Sequence, residues 1–312
     1  MGTPATALPS LAAILAAGHD VPLVCTQPDR PAGRTKAPQP PAVKEFALGR
    51  GLSVIQPESV RTSPFREAIV DAGADVIVVV AFGRILPRTA LDGARLGAVN
   101  LHFSLLPALR GAAPVQWALA RGESGTGVTT FRIDEGLDTG ALLGQHPVPI
   151  EPGEHAPALL SRLAVAGAAL LVSTLEGLAA GSITPQPQDH TRATAAPMLT
   201  KEDGRWDPSW TARDLEGRTR GFDPWPGVWA ARAGKRLRLV HAEALPGARA
   251  EDVAGTVLPN ENLEVRVVCA GGTVALIDSV QPEGGRVMRA REAVSGRLLC
   301  PGDRIERPEP AA

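Results

Sequence analysis

The sequence predicts an α/β protein, a doubly wound and mostly parallel sheet followed by a small β-barrel domain. Three observations lead there. Short β-rich runs alternate with helical patterns through the first part of the chain. One of those runs, ADVIVVVAFG (Ala74–Gly83), is so continuously apolar that both its faces must be covered, as in a buried parallel strand. Beyond a stretch rich in Pro, Thr and Gln the pattern changes to short alternating strands.

In order, VPLVCTQ (Val21–Gln27), LSVIQP (Leu52–Pro57), Ala74–Gly83 and GAVNLHF (Gly97–Phe103) read as strands. Between them PSLAAILAAG, PAVKEFALGRG and SPFREAIVDAG read as helices, the last with Ser63 as N-cap, Pro64 at the first helical position and Gly73 past its end. GVTTFRID (Gly127–Asp134) and ALLGQHPVPI (Ala141–Ile150) form a hairpin through EGLDTG (Glu135–Gly140), and a long helix follows from His155 to Ala180. GSITPQPQDHTRATAAP has the composition of a linker. The expected division is therefore 1–189, a linker at 190–204, and 205–312. In the last part PSWTARDLEGRTR reads as a helix. KRLRLV, LEVRVVCA and GTVALIDSV read as strands, the last two turning at Gly271 and Gly272.

At 312 residues the chain exceeds the ~250 at which single cores usually stop growing, so two domains fit. A net charge of -1 excludes an overall field that would draw nucleic acid, and any polyanion site must be a local patch. Cys25, Cys269 and Cys300 are scattered and lack CxxC spacing, which suits reduced thiols in a cytoplasmic protein. The apolar stretch Leu163–Ala180 carries Ser173, Thr174 and Glu176, so we read it as a core helix and expect no membrane association. We also expect a monomer.

Two polar side chains break the pattern. Asn100 and His102 stand two apart at the end of the Gly97–Phe103 strand, so they project from one face, where open α/β sheets place their ligands. SLLP (Ser104–Pro107) and a lone Arg110 follow. The remaining histidines show no HxH or HExxH spacing, so no metal is expected, and GxGxxG, P-loop and GxSxG motifs are absent.

NLHFSLLPALRGAAP followed by DEGLDTG resembles the formyltransferases that use 10-formyltetrahydrofolate. The resemblance implies a Rossmann-like catalytic domain in which Asn100, His102 and Asp138 are catalytic. It also implies that Ser104, Leu105, Leu106 and Pro107, with Phe82, Gly83, Ile85 and Leu86 of VVVAFGRILP, bind the folate. These residue types suit the chemistry. Asn100 and His102 offer N–H donors to a developing oxyanion, and a carboxylate at Asp138 would orient the imidazole and favour its protonated form. Asp134 is the rival acid, more simply read as a turn residue.

The N-terminal stretch through Pro57 is similar to members acting on methionyl-tRNA, in which the QPDRPAGR loop meets the acceptor end of the initiator tRNA. That implies tRNA contacts from Arg30, Arg34 and Lys36 on a stiff, Pro-rich loop, although this chain has GRTKAP where the family shows adjacent lysines. FDPWPGVW (Phe222–Trp229) matches the family's C-terminal domain, a small barrel resembling an OB-fold. Between Arg218 and Val240 six cations, among them Arg232, Lys235 and Arg236, face one acid in sequence, Asp223. The alternatives are a sister enzyme acting on a nucleotide or sugar amine and an RNA-binding descendant with impaired catalysis. Family members open with an apolar strand before GTP, whereas this chain starts MGTP. We therefore expect a strand of roughly six residues upstream of Met1, each apolar side chain of which would contribute ~1.5–3 kcal/mol by burial.

Overall fold

The computed structural model describes residues 1–31, 37–259 and 263–309. The chain forms two compact units, one of residues 1–114, 125–149 and 160–197, the other of 115–124, 150–159 and 198–312.

The elements up to residue 179 are α1 (Leu8–Ala16), β1 (Val24–Cys25), β2 (Arg30–Pro31), β3 (Pro38–Gln39), α2 (Ala42–Leu48), β4 (Val54–Ile55), α3 (Ser63–Asp71), β5 (Ile77–Val80), α4 (Arg88–Leu91), β6 (Ala98–His102), α5 (Pro114–Ala120), β7 (Gly125–Arg132), β8 (Leu142–Pro149) and α6 (Ala156–Ala179). β1 pairs parallel with β4, and β5, β6, β7 and β8 form a sheet in that order, parallel between β5 and β6 and antiparallel thereafter. The strand–helix alternation thus gives parallel pairing as far as β6, and the hairpin read from sequence supplies the antiparallel edge. α3 starts one residue earlier than its expected cap implies: Thr62 is the N-cap, without a side-chain capping bond, and Ser63 is already helical.

β1 and β4 are shorter than the apolar runs that contain them, because a strand lasts only as long as it is paired. Between β1 and β5 lie Met1 and Gly2. Gly2 N–H donates to Cys25 O (3.0 Å), Val80 N–H to Met1 O (2.9 Å), and the terminal ammonium to Val78 O (2.7 Å). Burial pushes the pKa of that ammonium down. Beneath this join a cavity of about 410 Å³ separates Val21–Leu23, the approach to β1, from Val76–Val78. Phe65, Ile69, Ile77, Val79, Phe82 and Leu91 form the neighbouring core.

α6 is long and apolar enough to cross a bilayer, and here its apolar side, with Leu163, Ala164 and Leu171 buried, lies on the sheet. A Cβ at Gly167 would stand 2.8 Å from Leu101 Cδ2, and Thr174 Oγ1 lies 2.8 Å from Thr130 Oγ1. Helix and strand approach closely because glycine leaves room. Leu101 therefore faces α6, and its neighbours Asn100 and His102 face the opposite side of the sheet.

The second unit adds α7 (Ala212–Gly221), β9 (Val228–Arg232), β10 (Lys235–Arg249), β11 (Val265–Val268), β12 (Thr273–Pro282), β13 (Met288–Arg289) and α8 (Ala290–Ser295). Its antiparallel order is β11–β12–β10–β9, with β13 on β12. Bridges Val257↔Val267, Thr256↔Arg304 and Ala231↔Glu306 carry the pairing from β11 back to β9 and close the sheet on itself, which leaves few free edges. The expected barrel is present, with Leu237, Leu239, Val267 and Ile277 of its strands buried. α7 opens with a capping box between Thr211 and Asp214. Gly271 and Gly272, at φ 64° and 71°, make the left-handed turn from β11 to β12.

Candidate active site

Parallel pairing with β5 and antiparallel pairing with β7 hold β6 in register, Asn100 opposite Phe131 and His102 opposite Thr129. Asn100 is half-buried, and among the described residues its carboxamide has no hydrogen-bond partner. His102, by contrast, is 6% exposed and its ring is pinned at one nitrogen. Nε2 lies 2.9 Å from the Leu109 carbonyl oxygen. That oxygen can only accept, so Nε2 carries a hydrogen, and Nδ1 of the neutral ring carries the lone pair. Nδ1 stands 3.7 Å from Asp138 Oδ2.

Asp138 reaches this position from the hairpin loop with φ 54°, a left-handed conformation that aspartate tolerates better than most residues. Its Oδ2 also accepts from the Gly111 N–H at 2.8 Å. Two backbone groups, at Leu109 and Gly111, therefore set the site. The Leu109 carbonyl fixes the imidazole and the Gly111 amide fixes the carboxylate. Gly111 itself has φ 124°, and a Cβ there would stand 2.5 Å from Ala196 O. Asp134 takes no part: its Oδ1 accepts from Gly136 N (3.1 Å) and Thr139 Oγ1 (2.6 Å) and closes the loop.

Burial is the largest influence on His102 and holds its pKa below the usual histidine range, against the pull of the Asp138 charge and the Leu109 carbonyl. The ring is thus neutral near pH 7. The reading of His102 as an N–H donor to an oxyanion meets a different geometry, since the one N–H of the neutral ring is committed to Leu109. What faces Asp138 is a proton acceptor, and the donor left on this face is Asn100.

The SLLP segment wraps the same face. Ser104 is fully buried, its Oγ donating to Ala108 O (2.6 Å). Thr129 Oγ1 donates to Ser104 O (2.6 Å) and accepts from Leu106 N (3.1 Å), while Gln145 Nε2 donates to Leu106 O (2.8 Å). Leu106 is buried, and the peptide to Pro107 is cis. Leu105 lies over Gly127, where a Cβ would stand 2.5 Å from Leu105 Cδ2. In the other segment Phe82 and Leu86 are core residues, Gly83 has φ 77° and Ile85 is 75% exposed. Gln27, given no site role in the sequence reading, ties this segment down: its Nε2 donates to Phe82 O (3.0 Å) and its Oε1 accepts from Arg84 Nε (3.1 Å).

Of the cations assigned to RNA, Arg34 and Lys36 lie outside the described residues. Arg30 is exposed and its Nη2 donates to Gln27 Oε1 at 3.3 Å. Arg232 is held by Asp303 at 2.9 Å. Arg218, Arg220 and Arg238 pair with Asp214, Glu216 and Asp223. Lys235 and Arg236 are exposed and have no acidic partner among the described residues, Arg236 resting 4.6 Å over the Trp229 ring. The two buried cysteines are inert: burial pushes the Cys25 thiol up to about 11 and Cys269 to about 12.

A sheet face that can hold an oxyanion and take up one proton is suited to acyl transfer onto an amine, and fold and site together define an enzyme of group transfer. Comparison with known proteins narrows the class. The family model described as formyl transferase matches residues 2–175, and the formyl transferase C-terminal domain matches 198–298. The chain belongs to the formyl transferase family. Among its relatives is a methionyl-tRNA formyltransferase of Acidobacterium capsulatum, 48% identical over 307 residues and covering 97% of each chain. Another of that name, from Myxococcus xanthus, is 44% identical and covers 97% of this chain and 95% of its own. The fold also matches an N-formyltransferase of Helicobacter canadensis solved with folinic acid and dTDP-3-aminofucose. Its TM-score is 0.64 at 16% identity, over 88% of this chain and 96% of that one.

Proposed function

We propose that the protein transfers the formyl group of 10-formyltetrahydrofolate to the α-amino group of methionine esterified to initiator tRNA, forming N-formylmethionyl-tRNA for translation initiation. The observation that carries this reading is the likeness, over nearly the full length of both partners, to proteins whose names specify that substrate. In this reading residues 1–189 catalyse the transfer, 205–312 contact tRNA, and 190–204 lie between them. The protein acts in the cytoplasm as a monomer.

When bound, the folate supplies the formyl carbon and the leaving nitrogen, N10. A bond forms from the amine to that carbon as its bond to N10 breaks, and one proton passes from the amine to N10. The unpartnered Asn100 amide donates to the formyl oxygen as negative charge grows there. His102 accepts the amine proton at Nδ1, and Asp138 stabilises the imidazolium until it releases that proton to the departing nitrogen. The buried, pinned ring starts neutral, as this role requires. Ser104, Leu105, Leu106 and Pro107, with Phe82, Gly83, Ile85 and Leu86, shape the folate side. Arg30, Arg34, Lys36, Lys235 and Arg236 serve the tRNA, whereas Arg232, expected among them from the sequence, is held by Asp303.

Incubation with charged initiator tRNA and formyl-labelled 10-formyltetrahydrofolate should yield labelled N-formylmethionine after hydrolysis of the ester. Label appearing only on an amino sugar nucleotide, with none on the tRNA, would overturn the reading.

A further inference from the structure

We propose that Gln188, steered by Arg110, is a positioning residue that holds Asp138 against His102. The inference rests on the reading of Asp138 as the partner of a proton-accepting His102. Gln188 is 6% exposed, and its side-chain amide is fully used. Nε2 donates to Asp138 O (2.9 Å) and to Gly140 O (2.7 Å). Oε1 accepts from Arg110 Nε (3.2 Å) and Nη2 (2.6 Å). A guanidinium can only donate, so Arg110 dictates which end of the amide faces it, and the N–H groups must face the two loop carbonyls. A flipped amide would lose all four bonds.

Arg110 is itself anchored. Its N–H donates to Thr194 O (2.8 Å), its carbonyl accepts from Ala196 N (2.7 Å), and its Nη2 lies 3.0 Å from His190 Nδ1. Its neighbour Gly111 donates to the Asp138 carboxylate. One dipeptide thus grips Asp138 twice, at the carboxylate through Gly111 and at the backbone through Arg110 and Gln188. A left-handed, non-glycine residue persists only where its surroundings over-determine it, and this grip does so. Bonds on both sides of Thr139 fix the direction from which the carboxylate approaches the ring. A small displacement of a group so close to the reacting atoms carries a large kinetic penalty.

The test compares Gln188→Met, which removes donor and acceptor, and Gln188→Glu, which keeps the bonds from Arg110 and loses both N–H donors, with Asp138→Asn. Steady-state formylation is measured across pH. Both Gln188 variants should lose about 10- to 100-fold in kcat with KM for both substrates within about two-fold. Asp138 is the charged group that acts on His102, so the acid limb of Gln188→Met, which adds no charge, should also move to lower pH, in the direction produced by Asp138→Asn. A merely structural role would lower Tm and leave the limb in place. Wild-type kcat in both Gln188 variants and an unmoved limb in Gln188→Met, beside an impaired Asp138→Asn enzyme, would overturn the inference and leave the reading of the site intact. An unimpaired Asp138→Asn enzyme would overturn that reading itself. A measurement on the unaltered protein guards against variants that fail to fold: both Gln188 side-chain amide hydrogens should exchange slowly by NMR with labelled glutamine, and exchange at the rate of a free amide would refute the clamp.

Discussion

His102 has one nitrogen bound to a carbonyl and the other facing a carboxylate, and that asymmetry decides how the site responds to pH. In the proposed reaction the neutral ring is the working form, so activity should rise with pH through a pKa that lies below the ordinary value of ~6.5. Asp138→Asn removes an influence that raises this pKa. The acid limb should then move to still lower pH while the plateau rate falls, as a pH–rate profile would show. Asn100→Ala should lower kcat by ~10²–10³-fold with KM for tRNA nearly unchanged, since in the proposed reaction the amide acts on charge that exists only in the transition state. Equal losses in kcat and in tRNA affinity would contradict this role. Asn100 and His102 were legible in the sequence because a two-residue spacing on a strand places them locally. Gln188 was not, because its loop partner Asp138 is 50 residues away and a buried glutamine in a Pro- and Thr-rich stretch reads like a solvated one.

The hairpin of β7 and β8 and the strand β6 form the element on which the site rests, and Gly127 is a point of close approach in its strands. A Cβ there would stand 2.5 Å from both His146 O and Leu105 Cδ2. Gly127→Ala should therefore destabilise the fold by ~1–3 kcal/mol, measured as a fall in Tm, and raise KM for the folate by shifting Leu105. An unchanged Tm would show that the face is looser than described. Strand alternation and the hairpin could be read from hydrophobic period alone. The segment at Thr194–Ala196 could not, for its hydrogen bonds to Leu109, Arg110 and Ala113 are fixed by the fold and leave no periodic trace. A composition typical of linkers conceals a wall of the site.

Across the whole molecule the same contrast governs charge. The sequence places six cations against one acid between Arg218 and Val240, yet four of the six find acids, and Asp214, Glu216 and Asp303 come from outside that window. Lys235 and Arg236 are left without an acidic partner among the described residues, free to meet a phosphate backbone in the proposed reading. Changing both to alanine should weaken tRNA binding and make its salt dependence shallower by about one unit of slope per cation. Arg232→Ala should lower Tm more than it lowers tRNA affinity. The measurement that bears most directly on the account is ¹⁵N NMR of the His102 ring during a pH titration. Nε2 should stay protonated throughout while Nδ1 gains its proton below the usual histidine range. A neutral ring carrying its hydrogen on Nδ1 would contradict it.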